Sequence, residues 1–350
     1  MMIYLFGWLM ILFFLFVQEI ARYRGKVLLI FLLIFFCTLS FIRGDVGTDT
    51  VNYEIMFYDF TSNYNWDGRE PLFVVLANVL SYFSPTIEIA VRATSFVFFG
   101  LIACFVFVSN RNERFLLMSY ILPAFVYQYG MNGLRLGIAS ALFLIAVQFF
   151  SKRGKMPAVL SALASIFFHY SMIFSVLFVV FTQRPWLKFS SVLGGFFLLV
   201  CAIGGLMVID IYVGSKFDNY KEMQALGSTS GLSKIVPMAF IVLGVFFSNL
   251  PRVERTKVII TGTLLISGAW VVTQFSYAGL RLLDLLAFSL PLAVLATYSR
   301  LNLDFNRPLK LFMILAGLLS AAGLWRGFML DYGVGDAPFM PYQIFNFNGI

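Results

Sequence analysis

The chain has 350 residues, of which 60% are hydrophobic, 18% aromatic and only 12% charged, and its mean hydropathy is +0.88. So little polar surface cannot cover a water-soluble globule of this size, which excludes the soluble classes of protein. The net charge of +8 would indicate nucleic-acid binding in a soluble chain. In a membrane protein, topology accounts for such a charge better, so we expect no nucleic-acid partner.

Apolar runs approaching the roughly 20 residues that a helix needs to cross a bilayer recur from end to end, whereas alternating strands do not. The fold class is therefore all-α, a polytopic transmembrane helical bundle. The first run, residues 2–17, has no basic residue before it and no cleavage-like site after it, so we predict a retained helix. Cys37, Cys104 and Cys201 lie in apolar runs without metal-like spacing and are predicted to pack there, with no metal or cofactor.

Six short basic clusters separate the apolar runs and contain most of the 25 basic residues. They comprise Arg22, Arg24 and Lys26; Arg111 and Arg114; Lys152, Arg153 and Lys155; Arg184 and Lys188; Arg252, Arg255 and Lys257; and Arg300, Arg307 and Lys310. Because Lys and Arg are enriched in cytoplasmic loops, we place all six clusters on the cytoplasmic side.

This placement requires an even number of crossings between consecutive clusters. The run at residues 115–150 then turns back at the Gly130-Met131-Asn132-Gly133 segment, and residues 156–182 turn back near His169. Residues 71–83 are too short to span comfortably and become a re-entrant or interfacial segment, with the true crossing at 87–108. The pattern predicts about 12 spans, with both termini outside.

The whole chain, residues 1–350, is thus predicted to be a single integral membrane domain. Its extracytoplasmic connectors are residues 43–70, residues 212–233 and the tail from Asp331. The two helical halves around His169 are too short to cross the bilayer core of about 30 Å, which indicates an outward-facing cavity.

Ionisable residues gather at the outer level of this topology. They are Arg43, Asp45, Asp49, Arg69, Glu70, Glu88, Arg92, Arg135, His169, Arg281 and Asp284. Because burial of a charge in lipid is costly, we expect these side chains to line one shared polar cavity.

Two arginines stand just inside helices that begin at glycine-containing turns, Arg135 in "NGLRLGIA" and Arg281 in "YAGLRLLD". A fixed positive charge beside free backbone N–H groups favours phosphate binding. The alternative is an arginine that extends to the interface or pairs with an acid. Arg281 with Asp284, and Glu88 with Arg92, have the spacing of simple helical ion pairs.

His169, in "FFHYSM", is the only histidine of the chain. Histidine is the side chain best suited to take a proton from a hydroxyl near neutral pH, which makes His169 a candidate general base. The competing interpretation is a structural histidine, in which case a carboxylate such as Asp49 or Glu70 would be the base.

The segment "RGDVGTDTVNYE", residues 43–54, follows an almost purely apolar run. Its glycines allow close backbone approach, and its hydroxyl, carboxylate, amide and aromatic groups are the types that hold sugars. The alternative is a solvated loop. More aromatic and polar residues follow in "NYNWDGREPLF" before Pro71 opens the next helix, which favours a binding segment.

These features together resemble the EpsG family of bacterial membrane proteins, a branch of the Wzy-type polymerases of O antigen and exopolysaccharide. The resemblance lies in "FIRGDVGTDTVNYE", "REPLF", "MNGLRLGIASALFLIA", "LASIFFHYSMIF" and "GLRLLDLLAFSLPLAV", in family order over nearly the whole chain. One departure is Leu136, since the family usually has glutamine after the arginine.

The resemblance implies a GT-C-like inner-membrane glycosyltransferase of lipopolysaccharide or exopolysaccharide synthesis that acts at the periplasmic face. It implies a donor and an acceptor that are undecaprenyl-diphosphate-linked oligosaccharides, besides membrane lipid, with a chain-length regulator and a flippase as protein partners. With the residue analysis, the catalytic candidates are His169, Asp49 and Glu70. The substrate-binding candidates are Arg43, Asp45, Thr48, Tyr53, Arg69, Arg135 and Arg281.

Three other functions compete with this one. A transporter or flippase of lipid-linked oligosaccharide predicts charges at mid-membrane and repeat symmetry, whereas these charges gather at one face and no repeat is evident. A membrane O-acyltransferase would use His169 on a sugar hydroxyl but needs an acyl donor from the cytoplasmic side. A purely structural partner of an assembly complex would have no activity of its own.

Overall fold

The computed structural model describes residues 2–20, 26–63, 69–151, 154–183 and 231–346. Every regular element in these ranges is helical, and the β pairing is limited to an isolated antiparallel bridge between Arg43 and Ile344. The predicted all-α class is confirmed.

The elements are α1 Met2–Ile20, α2 Val27–Phe41, α3 Thr50–Thr61, α4 Pro71–Phe83, α5 Ile87–Val108, α6 Arg111–Leu116, π1 Leu117–Ile121, α7 Leu122–Tyr127, π2 Gln128–Asn132, α8 Leu134–Ser151, α9 Lys155–Phe168, α10 Met172–Gln183, α11 Leu232–Phe246, α12 Arg252–Thr273, α13 Ala278–Leu301 and α14 Arg307–Leu330.

Within the described ranges, five helices are long and apolar enough to cross a membrane, namely α1, α5, α12, α13 and α14. Six shorter apolar helices accompany them, α2, α4, α8, α9, α10 and α11. This composition fits a multi-pass membrane protein, while the count of about 12 spans and the GT-C-like cavity stay predictions. Cys201 and most of the connector at 212–233 lie outside the described residues.

The chain divides into two compact units, one formed by Met1–Tyr170 with Ala321–Ile350 and the other by Ser171–Ser320. The single domain over residues 1–350 stays a prediction. In the second unit, α13 is largely buried against α10, α11 and α12. Gln183 Nε2 donates to Thr297 Oγ1 at 3.1 Å, and the Arg300 guanidinium pairs with Glu254 at 2.7 Å.

An aromatic cluster joins α1 and α7 in the first unit. The Tyr127 ring packs edge-on against Tyr4 and Trp8, with ring centroids 4.9 and 5.1 Å away. Each buried polar tip has a backbone partner, because Tyr127 Oη donates to the Tyr4 carbonyl and Trp8 Nε1 donates to the Pro123 carbonyl. The cluster therefore buries aromatic area without leaving these donors unpaired.

Several sequence predictions of element ends are confirmed. Helices occupy Pro71–Phe83 and Ile87–Val108, with the expected proline at the first turn of α4. The helical run from α6 through π2 ends at Asn132, and α8 begins at Leu134, so the helix is interrupted in the glycine-containing segment where the sequence predicted a turn. Likewise α9 ends at Phe168 and α10 begins at Met172, with His169 between them.

The first connector, predicted over residues 43–70 with a loop at 43–54, contains a helix that the sequence analysis did not predict. An irregular stretch continues only to Asp49, and Thr50–Thr61 then forms α3. The buried side chains Tyr53, Met56, Phe57 and Phe60 follow the spacing of one helical face and pack on Phe73 of α4. The burial of this aromatic face explains why the segment is helical.

The irregular stretch packs closely on the turn before α8. Gly47 has φ of +100°, and a Cβ placed on it would lie 2.6 Å from the carbonyl oxygen of Met131. A side chain at this position would therefore be strained and would clash with backbone.

We expect Gly47→Ala to lower the free energy of unfolding by about 1–3 kcal/mol, since both the positive φ and the backbone contact oppose a Cβ. Gly100→Ala is the matched control, because a Cβ at this helical glycine meets nothing within 4 Å. Unfolding of the purified protein in detergent measures both. Equal stability of the two variants would contradict the close packing.

Candidate functional site

The carboxylate of Glu70 lies between an arginine and the only histidine. Arg135 Nη1 donates to Glu70 Oε2 at 2.7 Å, and His169 Nδ1 lies 3.0 Å from Glu70 Oε1. Arg135 and His169 lie 65 and 99 residues after Glu70 along the chain, and all three residues belong to the first unit. The structure thus brings together three of the residues that the sequence predicted for the site.

The ends of three helices position this triad. Glu70 precedes Pro71 in extended conformation, and its carbonyl accepts from the amides of Phe73 and Val74 at 3.1 Å. His169 directly follows α9 with φ of −158° and ψ of 110°, which turns its side chain away from the helix path. Arg135 lies in the first turn of α8, at the predicted glycine-containing start.

A glycine also permits the approach of α8 to π2. A Cβ on Gly137 would lie 2.5 Å from the Tyr129 carbonyl oxygen, so a larger residue would push the first turn of α8 away. Because Arg135 belongs to that turn, the small residue two positions later fixes the distance between its guanidinium and the rest of the site.

The electrostatics of Glu70 are dominated by its partners. Burial alone would raise the pKa of this 7% exposed carboxyl, but the hydrogen bond with His169 and the charge of Arg135 lower the pKa to about 2. Glu70 is therefore ionised near neutral pH. An anionic oxygen beside His169 Nδ1 favours the tautomer with hydrogen on Nδ1, which places the ring's basic lone pair on Nε2.

Aromatic rings surround the Arg135 guanidinium. Its Cζ lies 5.9 Å from the ring centroids of both Tyr53 and Phe73, within cation–π range. Its Nε has no hydrogen-bond partner in the described structure. Next to the triad, Tyr170 Oη donates to the carbonyl of Arg69 at 3.3 Å, so Arg69 contributes a backbone contact there.

Arg92 organises a second charged cluster in the same unit. Its fully buried guanidinium pairs with Glu54 at 2.9 Å and with Asp45 at 3.3 Å. It also donates to the carbonyl oxygens of Arg43 at 2.7 Å and Glu88 at 2.8 Å. The spacing of Glu88 and Arg92 allowed a simple helical ion pair as an alternative; in the structure Arg92 donates to the backbone carbonyl of Glu88 and to the carboxylates of Glu54 and Asp45.

The connector that carries Asp45 is tied to the turn before α8. Asn132 Oδ1 accepts from the backbone amide of Asp49 at 2.8 Å and from Thr48 Oγ1 at 3.2 Å. Asn132 and Glu54 lie inside the motifs "NGLRLGIA" and "RGDVGTDTVNYE" but were not among the predicted site residues. Their location in the sequence was the available indication of a role, because Asn132 lies in the predicted turn and Glu54 lies next to Tyr53, which is buried.

Arg43 is fully buried and contacts backbone. Its Nη1 donates to the carbonyls of Ser40 at 2.8 Å and Gly130 at 3.3 Å. Burial, with the nearby positive charge of Arg92, lowers the pKa of Arg43 to about 10. These contacts join the connector to the turn before α8, and a substrate contact of Arg43 stays a prediction.

Arg281 belongs to the second unit, where it lies in the first turn of α13 with its Cζ 5.4 Å from the Tyr277 ring centroid. Its predicted neighbour Asp284 pairs with Lys234 of α11 at 2.5 Å. The single cavity shared by Arg281 and the triad stays a prediction.

The fold and the site define a multi-pass helical membrane protein with an Arg–Glu–His constellation at the converging ends of three helices. The EpsG family model matches residues 26–344, and the chain therefore belongs to the EpsG family, which includes Wzy-type and exopolysaccharide polymerases. No curated protein and no solved structure matches the chain.

The contacts of Glu70 with Arg135 and His169 predict that the stability of the fold falls at acid pH. Because its folded-state pKa of about 2 lies below the ordinary value of 4.5, the ionised carboxylate stabilises the fold above pH 4.5. This stabilisation is lost as the pH falls from 4.5 towards 2. Thermal unfolding measured across this window should show a flatter pH dependence for Glu70→Gln than for the unaltered chain.

Asp59→Asn serves as the control, since Asp59 of α3 accepts from Asn63, which lies just after that helix, and Asp59 lies outside the triad. A Glu70→Gln curve as steep as that of the unaltered chain would contradict the assignment.

Proposed function

We propose that this chain is a polysaccharide polymerase that joins lipid-linked repeat units, with Glu70, Arg135 and His169 at its catalytic centre. Membership of the EpsG family supports polysaccharide polymerisation. The observation that carries the catalytic assignment is the Glu70 carboxylate held between Arg135 at 2.7 Å and His169 at 3.0 Å.

The reaction would transfer a glycan from a polyprenyl diphosphate to a sugar hydroxyl. The acceptor oxygen forms a bond to the anomeric carbon of the donor while the bond from that carbon to the diphosphate oxygen breaks. The electron pair leaves with the diphosphate, and the hydroxyl proton passes to a base. The protein must therefore provide a base for the acceptor and positive charge for the leaving group.

His169 is the base that the geometry favours. A carboxyl whose pKa is about 2 is a weak base, so Glu70 is better suited to orient the histidine than to take the proton itself. With hydrogen on Nδ1 directed at Glu70, His169 Nε2 takes the proton of the acceptor hydroxyl. In the carboxylate–histidine pairs of hydrolases, the carboxylate holds the imidazole in its tautomer and orientation in the same way. Asp49 remains the competing base.

Arg135 is the group best placed to stabilise the departing diphosphate. A guanidinium has five N–H donors, of which one is used by Glu70 at 2.7 Å. The start of α8 adds the positive end of a helix dipole. Arg281, in the first turn of α13 of the second unit, has the same kind of helix position and is proposed as a further diphosphate contact.

The exposed side chains of the first connector are proposed to hold the sugars. Asp45 is 60% exposed although one of its oxygens pairs with Arg92, and Thr48 is exposed next to Asn132. Carboxylate and hydroxyl groups at these positions suit sugar hydroxyls. Tyr53 is buried against Arg135, so its proposed contribution is to the position of the guanidinium.

The proposed substrates, membrane, orientation and protein partners follow from the resemblance to the family. We propose an undecaprenyl-diphosphate-linked donor and acceptor, the bacterial inner membrane as location, and a site that faces the periplasm. A chain-length regulator and a flippase are the proposed protein partners. Purified protein incubated with lipid-linked repeat units tests the function, because a polymerase lengthens the lipid-linked chains unaided, whereas a flippase, an O-acyltransferase or a structural partner does not.

Arg135→Ala should lower kcat/KM of chain elongation by about 100- to 1,000-fold, because a preorganised charge at the leaving group is lost. Arg135→Lys, which keeps the charge but not the guanidinium geometry, should retain more activity and shows whether the fold tolerates the change. Arg111→Ala is the control, as Arg111 is 58% exposed and its ion pair with Glu19, at 3.7 Å, lies outside the triad. If folded Arg135→Ala protein makes polymer chains of normal length, the proposed role of Arg135 in stabilising the diphosphate is refuted.

His169→Ala should lower kcat by about 100- to 10,000-fold, the range expected on loss of a general base. Asp49→Asn should have a smaller effect, since its backbone amide keeps the bond to Asn132. Elongation rates of both variants at saturating substrate decide between the two bases. The reverse order of effects would assign the proton transfer to Asp49.

A further inference from the structure

The end of the chain returns to the first connector. We call residues 337–345 the C-terminal segment. The Gly44 amide donates to the Gln343 carbonyl at 2.8 Å, and the Phe345 amide donates to the Ile42 carbonyl at 2.9 Å. These bonds flank the antiparallel bridge between Arg43 and Ile344, so the segment pairs with the connector as a short strand would.

Hydrogen bonds of two tyrosines connect the same segment to α1 and α2. Tyr342 Oη donates to the Leu39 carbonyl of α2 at 2.6 Å, and Tyr4 Oη of α1 donates to the Phe339 carbonyl at 2.6 Å. The Phe339 ring stacks on Phe328 of α14 with centroids 4.2 Å apart. The segment is thus fixed at several points of the first unit.

Phe345 covers the charged cluster of the connector. The Cζ of Arg92 lies 4.1 Å from the Phe345 ring centroid. Arg92 is fully buried and its donors bond in the guanidinium plane to Glu54, Asp45 and the Arg43 backbone, so the Phe345 ring covers one face of that plane. A cation–π contact at a desolvated site is stronger than one in water.

Side-chain contacts and short stretches of chain together connect this cluster to the triad. Arg92 fixes Glu54, which neighbours Tyr53, and the Tyr53 ring faces the Arg135 guanidinium. Arg92 also fixes Asp45, and the same connector continues to Thr48 and Asp49 on Asn132, three residues before Arg135. Both routes end at the residue that contacts Glu70.

We propose that Phe345, held by the C-terminal segment, is a positioning residue for the reaction: through Arg92 it fixes the first connector and α3, and thereby Arg135. The proposal rests on the proposed function and concerns residues that the triad itself does not include. The segment acts in its closed position, paired with residues 42–44.

A disulfide tests whether the closed segment is the active arrangement. A Cβ on Gly44 would lie 3.3 Å from the Gln343 Cβ, close to the separation of about 3.5–4.5 Å in disulfides. Gly44→Cys with Gln343→Cys, in a chain whose native Cys37, Cys104 and Cys201 are replaced by alanine, should form the bond on mild oxidation. The oxidised protein should elongate lipid-linked chains as fast as its reduced form.

Loss of elongation on oxidation and its recovery on reduction would overturn the proposal, since the segment would then have to open. Failure of the two cysteines to react would show that the segment does not pair with the connector. The second outcome needs no activity and so does not depend on the proposed function.

Substitution of the ring tests the positioning role. Phe345→Leu keeps apolar bulk but removes the π face, and should lower kcat by about 3- to 30-fold with little change in KM. Phe345→Tyr restores a ring and should restore kcat. Ile344→Ala is the neighbouring control, because this side chain is 68% exposed. In an Arg92→Lys background the Phe345→Leu effect should shrink, as the two residues act through one contact.

A chain that elongates normally with Phe345→Leu overturns the inference and leaves the proposed function intact. A fall in the amount of folded protein with unchanged kcat per folded molecule would reduce Phe345 to a structural role and likewise overturns it. If the unaltered chain makes no polymer, the proposed function fails, and the crosslinking result still reports on the segment.

Discussion

A buried carboxylate in so apolar a chain imposes the strongest constraint on this structure. An ionised Glu70 without partners would cost several kcal/mol, so its charge is retained because Arg135 and His169 both contact it. These contacts require the start of α4, the start of α8 and the end of α9 to converge on one point. The site geometry is therefore a consequence of satisfying one charge.

The short helices make that convergence more demanding. Helix α4 has 13 residues and α9 has 14, so each is roughly 20 Å long and shorter than a bilayer core of about 30 Å. Irregular backbone next to such helices must find its hydrogen bonds within the protein. The connector does so through Asn132, Arg92 and the C-terminal segment, and its Gly47 permits contact with the Met131 backbone. In α8, Gly137 likewise permits contact with Tyr129.

Much of the helical framework follows from the sequence, because apolar runs and glycine or proline breaks mark the ends of helices such as Pro71–Phe83 and Ile87–Val108. Helix α3 was missed, although the spacing of Tyr53, Met56, Phe57 and Phe60 is a helical pattern. The polar and glycine residues before it favoured the interpretation as a loop.

Individual site residues were predictable by type, whereas their pairing was not. Arg135, His169 and Glu70 each stood out as charged or titratable groups in apolar surroundings. That Glu70 would contact both depends on packing between segments 65 and 99 residues apart, which no local pattern encodes. The same holds for Arg92: its spacing allowed Glu88 as a partner within the helix, while its carboxylate partners are Glu54 and Asp45 from outside α5.

Because the chain has one histidine, nitrogen NMR of protein labelled at histidine reports on His169 alone. The account predicts a hydrogen on Nδ1 that is bonded to Glu70 and a basic Nε2 near neutral pH, with the Nδ1–H signal displaced or lost in Glu70→Gln. A spectrum of the opposite tautomer, or one that Glu70→Gln leaves unchanged, would contradict the claim that this carboxylate orients the base.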